Sequence, residues 1–413
     1  MREYIVTKEF NGKLEFEDFS IENVRCIYED DYYSNRIMKG RFILKEDQRS
    51  ISLMNEPFRT FLFSDINGRV LKGQLNGSSL ENEYNSHWQE LSFDADEYSQ
   101  RLRWSENKFE RIKLRFHIPY IKDLSRHLKF SHDFYPEWLF RFDSIPFKIK
   151  INDHEFVFDE RVYCYKHKEP DNILARELFI KVQFTYGNQE IVEILEKYES
   201  IVEDIMLIVS FVFNHRMRSY SYYAELLDEK EKLVETIEFK ESNKLCGEDY
   251  LKKSNEEFRK FLNSDNLSKL IQHFIDKNSD DKKNITSLIN KFITIGETEI
   301  FEPKFVSAYF LLEAISKFIV SENIGGESLI KRAVEISKVE MEIFKISHKR
   351  EEIPNSKCEW EITEYRNYLT HFNYQDEYDG QLMYEEYEKV LKLNRKMLLW
   401  IIYPDLSDWP LPK

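Results

Sequence analysis

The sequence "ELFIKVQFTYGNQEIVEILEKYESIVEDIMLIVSFVF", residues 177–213, marks the point at which the chain changes its hydrophobic period. Apolar and polar side chains alternate in its first part, "ELFIKVQFTYG", and this pattern predicts a β-strand. From about Gln189, apolar residues recur at steps of three and four with acidic residues on the opposite face, which predicts an amphipathic helix. The run "IMLIVSFVF", residues 205–213, indicates a buried core segment. The stretch therefore predicts β-structure before it and helices after it.

The region before this stretch is rich in hairpin signals. The segments "TFLFSDINGRVLKGQL" (60–75) and "FKIKINDHEFVF" (147–158) each place an Asn-Gly or Asn-Asp corner between two β-rich arms. Further Asn-Gly corners occur at residues 11–12 and 76–77. Many short strands without intervening helices favour an antiparallel sandwich or barrel over a parallel sheet. We therefore expect residues 1–187 to form a β-rich, sandwich-like domain with antiparallel strands.

The region after the period change is predicted to be helical. We expect residues 188–245 to form a helical transition segment, and the charged stretch from Leu226 to about Asn255 to connect it to the helices that follow. The segment "FEPKFVSAYFLLEAISKFIV", residues 301–320, is apolar nearly all round, as is typical of a central helix in a bundle. Residues 246–413 are therefore predicted to form an α-helical bundle. The expected fold class is α+β, with the sheet first and the bundle second.

Composition narrows the class of protein. The 413 residues suffice for two or more cores, and a hydrophobic share of 42% with 15% aromatic residues is typical of globular chains. No apolar run approaches the ~20 residues of a membrane-spanning helix, and the charged N-terminus lacks a signal core, so we expect no membrane partner. Widely spaced cysteines suit reduced thiols and a cytoplasmic location: Cys26, Cys164, Cys246 and Cys358. The net charge of -15 argues against broad affinity for duplex DNA.

Several enzyme signatures are absent from the sequence. The chain has only 11 glycines, and the pair Gly68 and Gly73 has the spacing of a phosphate-binding loop but is followed by Gln74 where lysine is needed. It contains no G-x-S-x-G elbow, no H-E-x-x-H motif and no zinc-deaminase signature. The sequence therefore predicts no bound cofactor and no metal site.

One polar cluster does have the spacing of a catalytic site. The stretch "EYRNYLTHFNYQ", residues 364–375, places Arg366 and His371 five positions apart in a predicted helix. At 100° per residue, Asn367 and Thr370 fall on the same face, beside the apolar stripe Ile362, Tyr365, Leu369 and Phe372. Similar pairs in the β-rich region lie six positions apart, and a strand spreads such side chains by about 20 Å: Arg111/His117, Arg126/His132 and Arg161/His167.

The chemistry of this pair suits cleavage of a phosphodiester. An imidazole can take or give a proton at neutral pH. A guanidinium fork matches two phosphate oxygens and stabilises charge that develops on phosphorus. RNA supplies its own nucleophile, the 2'-hydroxyl, so the expected products are a 2',3'-cyclic phosphate and a 5'-hydroxyl. Because one pair per chain is sparse, we expect two chains to contribute to a shared cleft.

The segment "RNYLTH" resembles the R-x4-6-H motif of HEPN domains, which often carry a polar residue directly after the arginine. The apolar helix before it, with its single acid Glu313, resembles the opening helix of those bundles. The order of β-rich domain, transition and bundle is similar to that of ApeA-type HEPN anti-phage proteins. This resemblance implies a dimeric, metal-independent endoribonuclease that arrests infected cells. It implies that Arg366 and His371 are catalytic and Asn367 supporting, with Glu313 and Thr370 as further supporting candidates.

The same resemblance implies RNA as substrate, a second copy bound through the helical bundle, and a phage-derived trigger sensed by the N-terminal domain. Two alternatives remain open from the sequence. One is a non-catalytic HEPN module that dimerises or binds a nucleotide, while the β-domain recognises a protein or a sugar; the acidic composition favours it. The other is a carbohydrate-active sandwich with acid pairs around Trp88 or Trp104.

Overall fold

The fold was analysed in a computed structural model, which describes the following residues: 5–31, 38–45, 59–83, 86–118, 129–134, 139–145, 147–165, 173–187, 190–214, 216, 219, 221–241, 264–298, 300–322, 324–339, 361–371 and 380–405. Within them, contacts between Cα atoms divide the chain into two compact units. The first unit comprises residues 1–202 and 218–253, and the second comprises residues 203–217 and 254–413.

The first unit is built on one antiparallel sheet. Its strands within the described residues are β1 Ile5–Glu15, β2 Ser20–Asp31, β3 Met38–Leu44, β4 Thr60–Asp65, β5 Arg69–Glu83, β6 Ser86–Arg103, β7 Arg111–Ile118, β8 Lys129–Phe134, β9 Leu139–Ile145, β10 Phe147–Ile151, β11 His154–Tyr165, β12 Ile173–Thr185, β13 Ser221–Leu227 and β14 Leu233–Glu241. The order across the sheet is β3-β2-β1-β4-β5-β6-β14-β13-β7-β12-β11-β9-β8, with β10 paired to β11.

The first six strands close into a ring, because β3 pairs with β6 as well as with β2. Side chains that alternate along these strands fill the ring with an apolar cluster. Phe42 lies at its centre, with its ring 4.4 to 5.3 Å from three other phenylalanine rings: Phe61, Phe63 and Phe93. The fold is therefore α+β with an antiparallel first part, as expected, but one continuous sheet replaces the two separate sheets of a sandwich.

Both hairpins predicted from the sequence are confirmed. Strands β4 and β5 pair around a turn in which Asp65 accepts backbone hydrogen bonds from Asn67 at 2.9 Å and Arg69 at 2.8 Å. Gly68 adopts a φ of 72° there, which glycine tolerates without a Cβ penalty. Strands β10 and β11 pair around the corner at residues 152–153, where Asn and Asp both have positive φ, as this type of two-residue turn requires.

The expected helical transition and connection differ from the structure. Residues 188–245 contain helix α1, Ile191–Phe213, but α1 is followed by the hairpin β13–β14. Strand β14 pairs with β6 and β13 pairs with β7, so this hairpin joins the ring to the rest of the sheet. Its turn has no Asn-Gly corner; Asp228 instead accepts backbone hydrogen bonds from Lys230 and Lys232, both at 2.9 Å. Of the charged residues here, those of the turn at 229–232 are exposed, whereas Asp228 and Glu235 are buried.

Helix α1 covers one face of the open part of the sheet with its first half. Tyr198 stacks on Phe184 of β12 with ring centroids 4.2 Å apart, and its hydroxyl lies 3.2 Å from Nε2 of His154. The predicted core run is confirmed, because most of its side chains in the second half of α1 are buried. That second half belongs to the second unit, in which Phe211 packs edge-on against Phe292 at 5.5 Å.

The second unit is helical. Its remaining described helices are α2 Ser264–Ile275, α3 Ser279–Glu297, α4 Phe301–Ile319, α5 Gly326–Ser337, α6 Glu361–His371 and α7 Gly380–Ile402. Helix α4 packs against α3, α5, α6 and α7, so it is the central helix that its all-round apolar sequence predicts. Among the described residues, no helix combines the length and the apolar composition needed to cross a membrane.

Candidate functional site

The predicted polar cluster lies on α6, where α6 packs against the central helix α4. Ile362 and Tyr365 are buried, as the predicted apolar stripe requires, and Leu369 is half-buried. Thr363 is also buried, although its polarity gave no reason to expect this. Its hydroxyl lies 3.0 Å from the hydroxyl of Tyr309 on α4, so the pair satisfies two buried polar groups and fixes how α6 meets α4.

Arg366 is the centre of the site. Its Nη2 donates to Oε1 of Glu313 on α4 at 3.2 Å, and its Nη1 donates to Oδ1 of the neighbouring Asn367 at 2.7 Å. The side chains of Arg366 and Glu313 are 21% and 26% exposed, so the ion pair is half-buried but open to solvent on one side. The buried Nε of Arg366 has no hydrogen-bond partner within the described part of the chain.

Aromatic rings of α4 lie next to this guanidinium. The Cζ atom of Arg366 is 4.9 Å from the ring centroid of Tyr309 and 5.8 Å from that of Phe310. Such cation–π contacts hold a guanidinium in place while its N–H groups remain available. Tyr309 is fully buried, and burial raises the pKa of its phenol, so it is neutral at physiological pH. Phe310, by contrast, is 48% exposed.

The other predicted site residues have different outcomes. The hydroxyl of Thr370 donates to the main-chain carbonyl of Arg366 at 2.9 Å, one turn back along its own helix, a contact that threonine commonly makes in helices. His371 is the last residue of α6, and its side chain lies outside the described residues. The structure therefore brings together Arg366, Asn367 and Glu313, while the approach of the histidine to this group stays a prediction.

Sequence reasoning missed three residues of this site: Tyr309, Phe310 and Thr363. One signal in the sequence could have found the first, because Tyr309 and Glu313 are four positions apart and so share a face of α4. Phe310 and Thr363 carried no such signal. Their roles follow from the packing of two helices that are about 50 residues apart in sequence.

The surroundings of Trp104 in the first unit do not form a comparable cluster of candidate catalytic residues. Trp104 is 63% exposed, and its indole N–H points to the hydroxyl of Thr236 at 3.4 Å; the side chain of Trp88 lies outside the described residues. The carboxylates nearest in sequence to Trp104 and its partner strand are held by arginines: Glu235 by Arg101, and Glu106 by Arg103 at 3.3 Å. These pairs weaken the case for a carbohydrate-cleaving acid pair. In the part of the chain that is described, no three His, Cys, Asp or Glu side chains group closely enough to hold a metal ion.

Comparison with known proteins does not identify a family or a function for this chain. No protein-family model, no curated protein and no solved structure matches the chain.

Proposed function

We propose that this protein is a metal-independent endoribonuclease of the HEPN type that acts in anti-phage defence by abortive infection. The observation that carries the proposal is the placement of Arg366, which lies between Glu313 and Asn367 with its side chain 21% exposed. An arginine that is fixed by neighbours yet open to solvent is suited to bind a phosphate of RNA.

The guanidinium has donors left for a substrate. It carries five N–H groups, and the contacts to Glu313 and Asn367 use two of them. The remaining N–H of each Nη can donate to two oxygens of one phosphate and stabilise the negative charge that grows there during cleavage. Glu313 and Asn367 then act as positioning residues, because they hold the fork in one orientation.

The remaining steps follow from the chemistry of RNA. The 2'-hydroxyl attacks the adjacent phosphorus, and the bond to the 5'-oxygen breaks, which leaves a 2',3'-cyclic phosphate and a 5'-hydroxyl. His371, at the end of the same helix, transfers the proton between these oxygens. No cofactor enters these steps, since RNA carries its own nucleophile.

The proposal also includes dimerisation of the chain and activation by a trigger. Phe310, half-exposed on α4 beside Arg366, offers apolar surface to a second helical unit, which would bring two arginines and two histidines to one cleft. The β-rich first unit serves as the sensor of a phage-derived trigger in the cytoplasm. The acidic chain favours local engagement of RNA in that cleft over broad electrostatic binding.

The test is cleavage of total RNA by the purified full chain in EDTA. We expect Arg366→Ala and His371→Ala each to lower cleavage about 100-fold or more, and Asn367→Ala to lower it less. Arg332→Ala is the matched control, because Arg332 is a 48% exposed arginine of α5 whose ion pairs lie on the surface. Cyclic-phosphate ends on the products are expected. Equal cleavage by the parent protein and both alanine variants would refute the proposal.

A non-catalytic HEPN module that dimerises or binds a nucleotide is the second candidate, with a β-domain that recognises a protein or a sugar. One observation favours it: Glu313 already compensates the charge of Arg366, as in a purely structural ion pair. Protection of cells against phage separates the two. If His371→Ala retains full protection while the protein cleaves no RNA, the binding module is correct.

A further inference from the structure

The open part of the sheet in the first unit carries a groove that the proposed nuclease does not use. Four adjacent strands, β13, β7, β12 and β11, line a concave space of about 370 Å³. The groove lies within one compact unit. Its volume falls in the range of ~300–1,000 Å³ that is usual for small-molecule sites.

The groove is on the face of the sheet that α1 leaves uncovered. Helix α1 packs through Tyr198 onto Phe156 and Phe184, which lie on one face of β11 and β12. Successive residues of a strand point to opposite faces, so Lys181 and Glu155 lie on the other face. The groove is thus formed by the outward-facing side chains of a sheet whose inner face is packed.

Three cations meet in the groove. The register of β7 and β12 places Arg115 directly opposite Lys181, and Lys113 lies two residues further along on the same face. Like charges directly opposite each other destabilise a sheet, and an anion bound between them would relieve that repulsion. Phe179 supports the pair from within the same face: its ring lies 5.2 Å from the guanidinium and 4.7 Å from the ammonium.

Carboxylates of the protein flank these cations. Asp159 binds Lys181, and the other carboxylate at this edge of the groove, Glu155, is itself bound by Lys148 at 2.8 Å. On the opposite edge, Glu225 lies across from Lys113 in the register of β13 and β7. The groove thus has a cationic centre and a carboxylate at each edge.

An aromatic ring completes one wall. Tyr223 of β13 lies directly opposite Arg115 and lines the groove beside Glu225. Burial raises the pKa of this phenol, and the nearby carboxylates add to the effect, so the ring is neutral at physiological pH. A neutral aromatic wall next to a guanidinium accepts a flat ring by stacking.

We propose that this groove binds a small organic phosphate of nucleotide size. Arg115, Lys113 and Lys181 would hold the phosphate, whose several oxygens and double negative charge match three cations better than a single carboxylate does. Glu155 and Glu225 would accept hydrogen bonds from sugar hydroxyls or ring amino groups. Tyr223 would stack on the base.

Calorimetric titration of the full chain tests the proposal, with ATP, AMP and pyrophosphate as probes and adenosine as the uncharged reference. We expect at least one phosphate probe to bind at least ten times more tightly than adenosine. Lys113→Glu should raise its Kd about tenfold or more, since a charged hydrogen bond is lost and a repulsion is gained. The matched control Lys39→Glu, an exposed lysine of β3 in the ring, should leave the Kd unchanged.

Two further variants distinguish binding in the groove from a folding defect and from binding at the proposed nuclease site. Glu225→Gln should tighten the binding of pyrophosphate several-fold, because it removes a negative charge from the edge of the groove and pyrophosphate has no hydroxyl or amino group for Glu225 to bind. A folding defect would not tighten binding. Arg366→Ala should not change the Kd. Absence of binding by every phosphate probe at millimolar concentration overturns the proposal, as does an unchanged Kd in Lys113→Glu or loss of binding in Arg366→Ala.

Discussion

The ring of strands β1–β6 and the helical second unit pack their interiors in different ways. The ring is filled by an apolar cluster in which Phe42 contacts three other aromatic rings. In the helical unit, polar contacts follow one side chain after another along α4: Asn394 donates to the carbonyl of Ala308 at 2.8 Å, Tyr309 meets Thr363, and Glu313 meets Arg366.

The two kinds of packing differ in whether they specify the orientation of side chains. Apolar packing stabilises a fold but specifies the direction of a polar group only weakly, since the hydrophobic effect is non-directional. Buried hydrogen bonds stabilise less and are costly when one partner is missing, but they have defined geometry. The polar contacts along α4 therefore fix the orientation of the side chains that make them, whereas the ring is stabilised mainly by apolar contacts without a preferred direction.

The largest expected effect is on the ring. Phe42→Ala removes a fully buried ring at the centre of the cluster and should lower the free energy of unfolding by about 3–5 kcal/mol. Phe310→Ala in the helical unit, where the ring is 48% exposed, should cost less than about 1 kcal/mol. Urea denaturation followed by circular dichroism measures both. A similar loss in the two variants would remove the contrast between the units.

Removal of one buried tyrosine hydroxyl in each unit should lower the free energy of unfolding by a smaller amount. Tyr309→Phe leaves the buried hydroxyl of Thr363 without this partner and should destabilise by about 1.5 kcal/mol. Tyr98→Phe is the matched change in the ring, because its hydroxyl donates to Oε1 of Gln100 at 2.9 Å. We expect similar losses of stability but a several-fold loss of RNA cleavage in Tyr309→Phe alone. Unchanged cleavage in that variant would mean that the contact serves folding only.

The two units also contain ion pairs with the same separation in different surroundings. Arg366–Glu313 and Arg41–Glu90 both have N···O distances of 3.2 Å. The ring arginine is 49% exposed and the bundle arginine 21%, while the carboxylates differ in the opposite sense, with Glu90 13% and Glu313 26% exposed. Double-mutant cycles should give a coupling of about 0.7 kcal/mol for the bundle pair and about 0.3 kcal/mol for the ring pair, since water screens exposed charges. Equal couplings would show that the exposure of the arginine does not decide the strength of the pair.

The smallest effect concerns the hairpin that joins the ring to the open sheet. Backbone N–H groups of Lys232 and Lys230 hold the pKa of Asp228 below its usual range, with Asn107 contributing. The ionised carboxylate thus stabilises the folded state above the ordinary carboxyl pKa of about 4, and this contribution is lost as pH falls through the lowered value. The stability difference between the parent and Asp228→Asn should shrink between pH 6 and pH 2.

Thermal unfolding at a series of pH values measures that difference. Glu229→Gln, which removes a charge from the same turn, is the control for the general effect of net charge. A difference that is constant with pH would mean that the ionisation of Asp228 does not stabilise the turn.

Local pattern predicted much of the fold. The hairpins at residues 60–75 and 147–158 followed from their corner residues, and the change from strand to helix followed from the period near Gln189. The hairpin β13–β14 was missed because its turn is formed by an aspartate side chain and its pairing partners are more than 100 residues away in the chain. Charged residues there indicated a connection, although alternation with apolar side chains such as Val234 was present.

The site was predictable to a similar degree. Helical geometry placed Arg366 and Asn367 beside an apolar stripe. Ile362 and Tyr365 of that stripe are buried and Leu369 is half-buried, while Phe372 lies outside the described residues. The contact with Glu313 could be expected only from the resemblance to HEPN domains. Of the aromatic rings next to the guanidinium, Tyr309 had only its four-residue spacing from Glu313 as a signal. Phe310 had none, because its contact depends on how two helices face each other.

The sequence by itself determined the early hairpins, the change from strands to helices and which side chains of α6 share a face, but not the hairpin β13–β14. These properties depend on residues within a few positions of one another. Only the tertiary structure decided that β3 closes onto β6, that a late hairpin bridges β6 and β7, and that Arg115 lies opposite Lys181. It also decided that Arg366 meets Glu313. Each of these contacts joins residues far apart in the chain, and such pairings are selected by the packing of the whole unit.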